Sequence, residues 1–244
     1  MEVHAHTHTP RKKFTHYLWE FLMLFLAVFC GFLAENIREH NVEEKREKIY
    51  INNLYEDLKS DTAIYIDYIK STDEFASGID SLLRLMKSPN RNSYLSKIYF
   101  FARNLTIKTS TLYPNQRTFS QLKSSGLLRL ISNQKVADNI SSYYLATEKI
   151  FSQNNFINDQ MLHYWDQVGN LFEATVLYKI REQRKLPDST NLSLMTNDPI
   201  VINRFLVSTQ YLYGSHMSND ENSTEMLQKA IALIELIKIE YHFD

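Results

Sequence analysis

Residues 17–40 read "YLWEFLMLFLAVFCGFLAENIREH", an apolar run with Glu20 near one end and Glu35 at the other. A core helix, a cleaved export signal and a membrane-spanning helix all begin from a run like this. Fourteen residues, 21–34, carry no charge. As a helix they rise about 21 Å, short of the roughly 30 Å hydrocarbon core of a bilayer. Adding Tyr17, Leu18, Trp19 and Glu20 gives about 27 Å, which a slightly thinned bilayer accepts. Tyr17 and Trp19 then fall at one interface, where amphipathic rings prefer to sit. Glu20, one turn inside, reaches the headgroups with its carboxylate, and Glu35 closes the other end. The run is apolar on every face, so it suits lipid or a fully buried position. Cleavage is disfavoured: a cut after Ala34 puts the large Phe32 at −3, and Phe29 precedes Cys30 where a lipoprotein signal wants a small residue. The expectation is an uncleaved single span over residues 17–34, after a His-rich basic tail over residues 1–16.

Lysine and arginine near the ends set orientation. Arg11, Lys12 and Lys13 stand tightly before the span. Arg38, Lys45, Arg46 and Lys48 follow at a distance, mixed with Glu39, Glu43, Glu44 and Glu47. The count is nearly balanced, but a short basic tail before a span is the usual signal-anchor layout. It favours a cytoplasmic N-terminus and an exported C-terminal domain, periplasmic in a bacterium.

Beyond the span the 244-residue chain reads as helix. It has only 5 Gly and 5 Pro, and every glycine is isolated, so the clustered glycines of phosphate-cradling loops are missing. The sequence "REHNVEEKREK" predicts a polar helical stalk with pairs such as Glu44–Lys48. Ile51, Leu54, Leu58, Tyr65 and Ile69 then recur at helical spacing. Residues 35–87 are thus expected to form the stalk and first bundle helix, and residues 88–244 the rest of one all-α domain. "KSPNRNS" breaks the chain at residues 87–93. Further helices are expected from Tyr94 to about Leu105, from Phe119 to Ser124, after a Ser132 or Asn133 cap, and after the Asp198–Pro199 start. "SQNN" at residues 152–155 is expected to bend the fourth. "KLPDSTNLSLMTNDP" is the longest loop, and the last helix is placed from about Ser223 to Tyr241. Gly126 in "QLKSSGLLRLISN" is expected to end the short helix in a left-handed conformation.

The sequence offers little chemistry. His4, His6 and His8 alternate and could face one way with His16, but only Glu2 stands nearby to complete a tight metal site; these three histidines are weak metal candidates, and no cofactor is predicted. Glu20 lies too near the end of the span to serve a mid-membrane ion path. His163, Asp166 and Glu173 are read on one helix, with His163 an interior or boundary residue. The single cysteine, Cys30, excludes an internal disulfide. A formal net charge of −1 gives no pull toward nucleic acid. No catalytic motif is found.

Two stretches, "FLMLFLAVFCGFLAENIREH" at residues 21–40 and "FSQLKSSGLLRLISNQKVADNISSYY" at residues 119–144, resemble a family of uncharacterised bacterial single-span membrane proteins, a domain of unknown function. The resemblance implies a bacterial envelope protein and no activity. The expected function is therefore a membrane-anchored, non-enzymatic interaction or scaffold protein. Its expected partners are the bilayer and either an envelope protein or a second copy of itself. A tethered sensor or signalling regulator is the alternative, and a membrane-bound hydrolase comes third.

Overall fold

The structure is a computed structural model that describes residues 14–105 and 112–243. Among these, the chain forms six α-helices and no strand. They are α1 (Phe14–Met86), α2 (Leu95–Asn104), α3 (Arg117–Ser124), α4 (Gln134–Leu171), α5 (Ala174–Gln183) and α6 (Pro199–Tyr241). The fold is all-α. It divides into two compact units, residues 1–49 and 50–244.

In the first unit, the described residues belong to the N-terminal part of α1. Residues 14–41 are exposed throughout. An 18-residue window there has a mean hydropathy of 2.0 with none of it buried. By length and composition this segment can cross a membrane. Phe21, Phe25 and Phe29 stack one turn apart along it. In the polar part, Lys48 Nζ lies 2.9 Å from Glu44 Oε1, and the Arg38 guanidinium meets the Glu35 carboxylate with Nε 2.8 Å from Oε2.

The second unit is a helical bundle. On α1, Ile51, Leu54, Leu58, Tyr65, Tyr68, Phe75, Ile79, Leu82 and Met86 recur at spacings of three, four and seven and are all buried, with the buried Asp61 and Thr72 filling the two longer gaps. Helices α4 and α6 are antiparallel: Asn133 meets Glu240, Asn154 meets Asn219, and Tyr164 meets Phe205. Helix α6 is also antiparallel to α1, through Tyr68 with Asn219 and Phe75 with His216. Helices α1 and α4 therefore run parallel, and α2 and α3 lie in the crossover that parallel neighbours require. The Tyr164 hydroxyl donates to Ala102 O at 2.8 Å, which fixes α2 on α4.

Caps explain the boundaries. Asn133 Oδ1 accepts from Val136 N at 3.2 Å, while its amide donates to Glu240 at 2.7 Å. Asp198 accepts from Ile200 N at 2.8 Å, with Pro199 opening α6. Gly126 stands at φ +67°, with its amide bonded to Lys123 O at 3.3 Å. A 3₁₀ turn over Leu127–Leu130 follows, half-burying Leu127 and Leu128 while Arg129 stays in water.

Several expectations are corrected. The last helix does not begin near Ser223; α6 is continuous from Pro199. Residues 152–155 lie within α4, which runs on from Gln134 to Leu171, and Asn154 there is buried. Helix α5 was not expected: it is short, and Glu173 caps it by accepting from Thr175 N and Val176 N. The long loop after it is pinned, since Ser193 O accepts from the Tyr99 hydroxyl at 2.8 Å and Met195 N donates to Leu171 O at 3.0 Å.

Candidate functional site

Three arrangements concentrate polar side chains. The first lies on the buried face of α1. Asp57 and Asp61, one turn apart, are 1% and 0% exposed. Asp57 accepts from Arg117 Nη2 at 2.8 Å, from Thr118 N at 3.2 Å and from Thr118 Oγ1 at 2.5 Å. Asp61 accepts from Asn115 N and from the Tyr143 hydroxyl, both at 2.7 Å. The Tyr143 hydroxyl lies 3.3 Å from that of Tyr65. Burial pushes the Asp61 carboxyl up to about 6, against the lowering effect of its two donors. Burial also raises the Tyr65 and Tyr143 hydroxyls far above their ordinary value. Among the described residues, the bonds to the two carboxylates come from this chain's own loop, α3 and α4. The pair latches the first turn of α3 and Asn115 before it onto α1.

The second arrangement is a polar layer between two apolar cores. One core gathers Phe75, Leu82, Tyr99, Tyr164 and Phe205. The other gathers Leu54, Leu58, Leu122, Ile140 and Leu233. Between them, Asn219 Nδ2 donates to the Tyr68 hydroxyl at 3.0 Å and lies 3.5 Å from Asn154 Oδ1. Asn154 Nδ2 donates to Leu112 O at 2.6 Å. His216 is 3% exposed, with Nδ1 3.5 Å from the Tyr68 hydroxyl and its ring centroid 4.2 Å from that of Phe75. Burial without a counter-charge lowers its pKa to about 4, so the ring is neutral at pH 7.

The third arrangement is an open groove of about 690 Å³ along the outer seam of α4 and α6. Helix α4 contributes Phe156, Gln160, His163 and Gln167; α6 contributes Asn203, Arg204, Val207, Ser208 and Tyr211. The volume lies in the range of ligand sites, but the trough faces solvent.

The expected residues fall as follows. Tyr17, Trp19 and Glu20 are exposed near the start of α1, with Glu20 Oε1 3.0 Å from His16 Nε2, and Glu35 is exposed farther along. His4, His6 and His8 lie outside the described residues. Among the described residues no group of three or more His, Cys, Asp or Glu is placed to hold a metal. His163 is exposed on the groove, not interior, and Trp165 beside it is 48% exposed. Glu173 does not share its helix, since α4 ends at Leu171. The buried histidine is His216, which lay in a polar stretch with no apolar stripe to mark it. Asp57 and Asp61 did carry a signal: both fall on the apolar stripe of Leu54, Leu58 and Tyr65, where a carboxylate must find donors.

No protein-family model matches the chain, and neither a curated protein nor a solved structure matches it.

Proposed function

We propose that this chain is a membrane-anchored, non-enzymatic interaction protein of the bacterial envelope, held in the inner membrane by residues 17–34 with its bundle on the periplasmic side. The observation that carries this reading is the segment of α1 that is wholly exposed and long and apolar enough to span a bilayer. Lipid is the solvent that such a surface needs. The resemblance of residues 21–40 and 119–144 to single-span bacterial proteins agrees with it. The buried carboxylates favour interaction over catalysis, because both are engaged in holding their own chain together. The groove supplies a face on which a partner can dock. The groove also favours a second reading, a tethered sensor that takes a small ligand there.

The test has two parts. The full chain should stay with membranes through alkaline washing and leave them with detergent. A reporter active only outside the cytoplasm, fused after His40, should give signal. Release by the alkaline wash would remove the anchor, and signal only from a cytoplasm-specific reporter would reverse the orientation.

A further inference from the structure

We propose that the α4–α6 groove receives an amphipathic helix of a different protein, one that presents a carboxylate to Arg204. The proposal rests on the interaction reading and names the chemistry of its partner. Its first support is shape. Phe156, Gln160, His163 and Gln167 follow one another at spacings of four, three and four along α4, and Arg204, Val207 and Tyr211 at three and four along α6. Two antiparallel helices thus present facing stripes, about 16 Å long on α4 and about 10 Å long on α6, that run together over two turns. That is the bed into which a third helix packs its own ridges.

The second support is openness. Phe156 is 47%, Val207 40% and Tyr211 64% exposed. A small molecule in such a trough would keep much of its surface in water, whereas ligand pockets cover most of theirs. A helix covers the same side chains along a line.

The third support is charge. Arg204 is the one fixed charge among the groove residues, no carboxylate lines the groove, and among the described residues Arg204 has no ionic partner. Arg204 and Tyr211 are seven residues apart, about 10 Å along α6. The occupant therefore needs an apolar turn against Phe156 and Tyr211 and an acidic residue about two turns away. A second copy of this chain docked face to face would offer another Arg204 and His163, and the carboxylate nearest its groove, Asp166, is already taken by Gln167 at 2.7 Å. The charge pattern selects another protein.

The experiment places a photo-crosslinking amino acid at Val207 in the full-length chain, with Leu145 and Ile239 as exposed positions off the groove, in native membranes. Adducts are mapped to the peptide by mass spectrometry. The expected adduct at Val207 lies in a different protein, on a segment with helical apolar spacing and an Asp or Glu about seven residues from the apolar contact. Arg204→Glu should reduce it about tenfold or more. Changing the partner's acidic residue to Arg should restore it against Arg204→Glu. Arg204 is exposed, so the variant has no core to disturb, and the Leu145 and Ile239 adducts report on folding. A Val207 adduct to a second copy, to a lipid or small molecule, or to a partner indifferent to Arg204→Glu overturns the proposal. So does a silent groove. A silent groove with protein adducts at Leu145 or Ile239 leaves the interaction reading standing; silence at all three positions overturns both.

Discussion

At Gly126 the chain holds a left-handed turn, and a Cβ built there meets nothing within 4 Å. The cost of a side chain is therefore backbone strain alone. Gly126→Ala should destabilise the bundle by about 1 kcal/mol and Gly126→Val by more, roughly up to 3 kcal/mol, with Lys123→Ala neutral in a urea melt. A stabilised Ala variant would mean the turn is not needed. Two buried titratable groups give opposite pH responses. Asp61 binds its proton more tightly folded, at about 6, than unfolded, at 3.8, so its contribution to stability falls as pH rises through that window. His216 binds its proton less tightly folded, at about 4, than unfolded, at 6.5, so its contribution falls as pH drops through that window. Each effect is on the order of 3 kcal/mol, and between pH 4 and 6 they oppose. The wild-type urea midpoint should vary little from these two groups across that range. Asp61→Asn should expose a loss of stability on acidification, and His216→Phe a gain. Parallel slopes in the two variants would contradict the burial argument.

Among the elements, the first turn of α3 is held to α1 by Asp57, which accepts from Arg117 and Thr118. Asp57→Ala leaves the Thr118 N–H and hydroxyl without their acceptor in a buried place. The loss should be about 2–4 kcal/mol by urea melt. Arg117→Ala should cost less than 1 kcal/mol, because its side chain is 78% exposed. Equal losses in the two variants would show that the ion pair, not the buried acceptor, matters. The elements that were legible in sequence are those with a regular apolar stripe or a cap: α1 by its spacing, α4 by Asn133, α6 by Asp198 and Pro199, and the turn at Gly126. The first half of α6 merged with its second unseen, because its buried face turns polar at Ser215, His216, Asn219, Asn222 and Ser223. No periodicity rule marks a helix whose inner positions are amides and hydroxyls. The groove was equally hidden. Its residues are spread over two helices whose register depends on those same polar contacts.

For the whole molecule, the bundle unit carries its own two cores and its own caps. A chain of residues 44–244 should therefore be soluble and give a circular dichroism spectrum dominated by helix, with a cooperative thermal transition. A strand-rich or unfolded spectrum would contradict the division into units. Within the bundle, the layer of Tyr68, Asn154, His216 and Asn219 has a mechanical meaning. Apolar contacts are interchangeable along a seam, but amide and hydroxyl contacts are not. A slide of α6 past α4 by one turn, about 5.4 Å, would strand these groups against hydrocarbon from one core or the other. The layer acts as a detent: it forbids piston-like travel along the bundle axis.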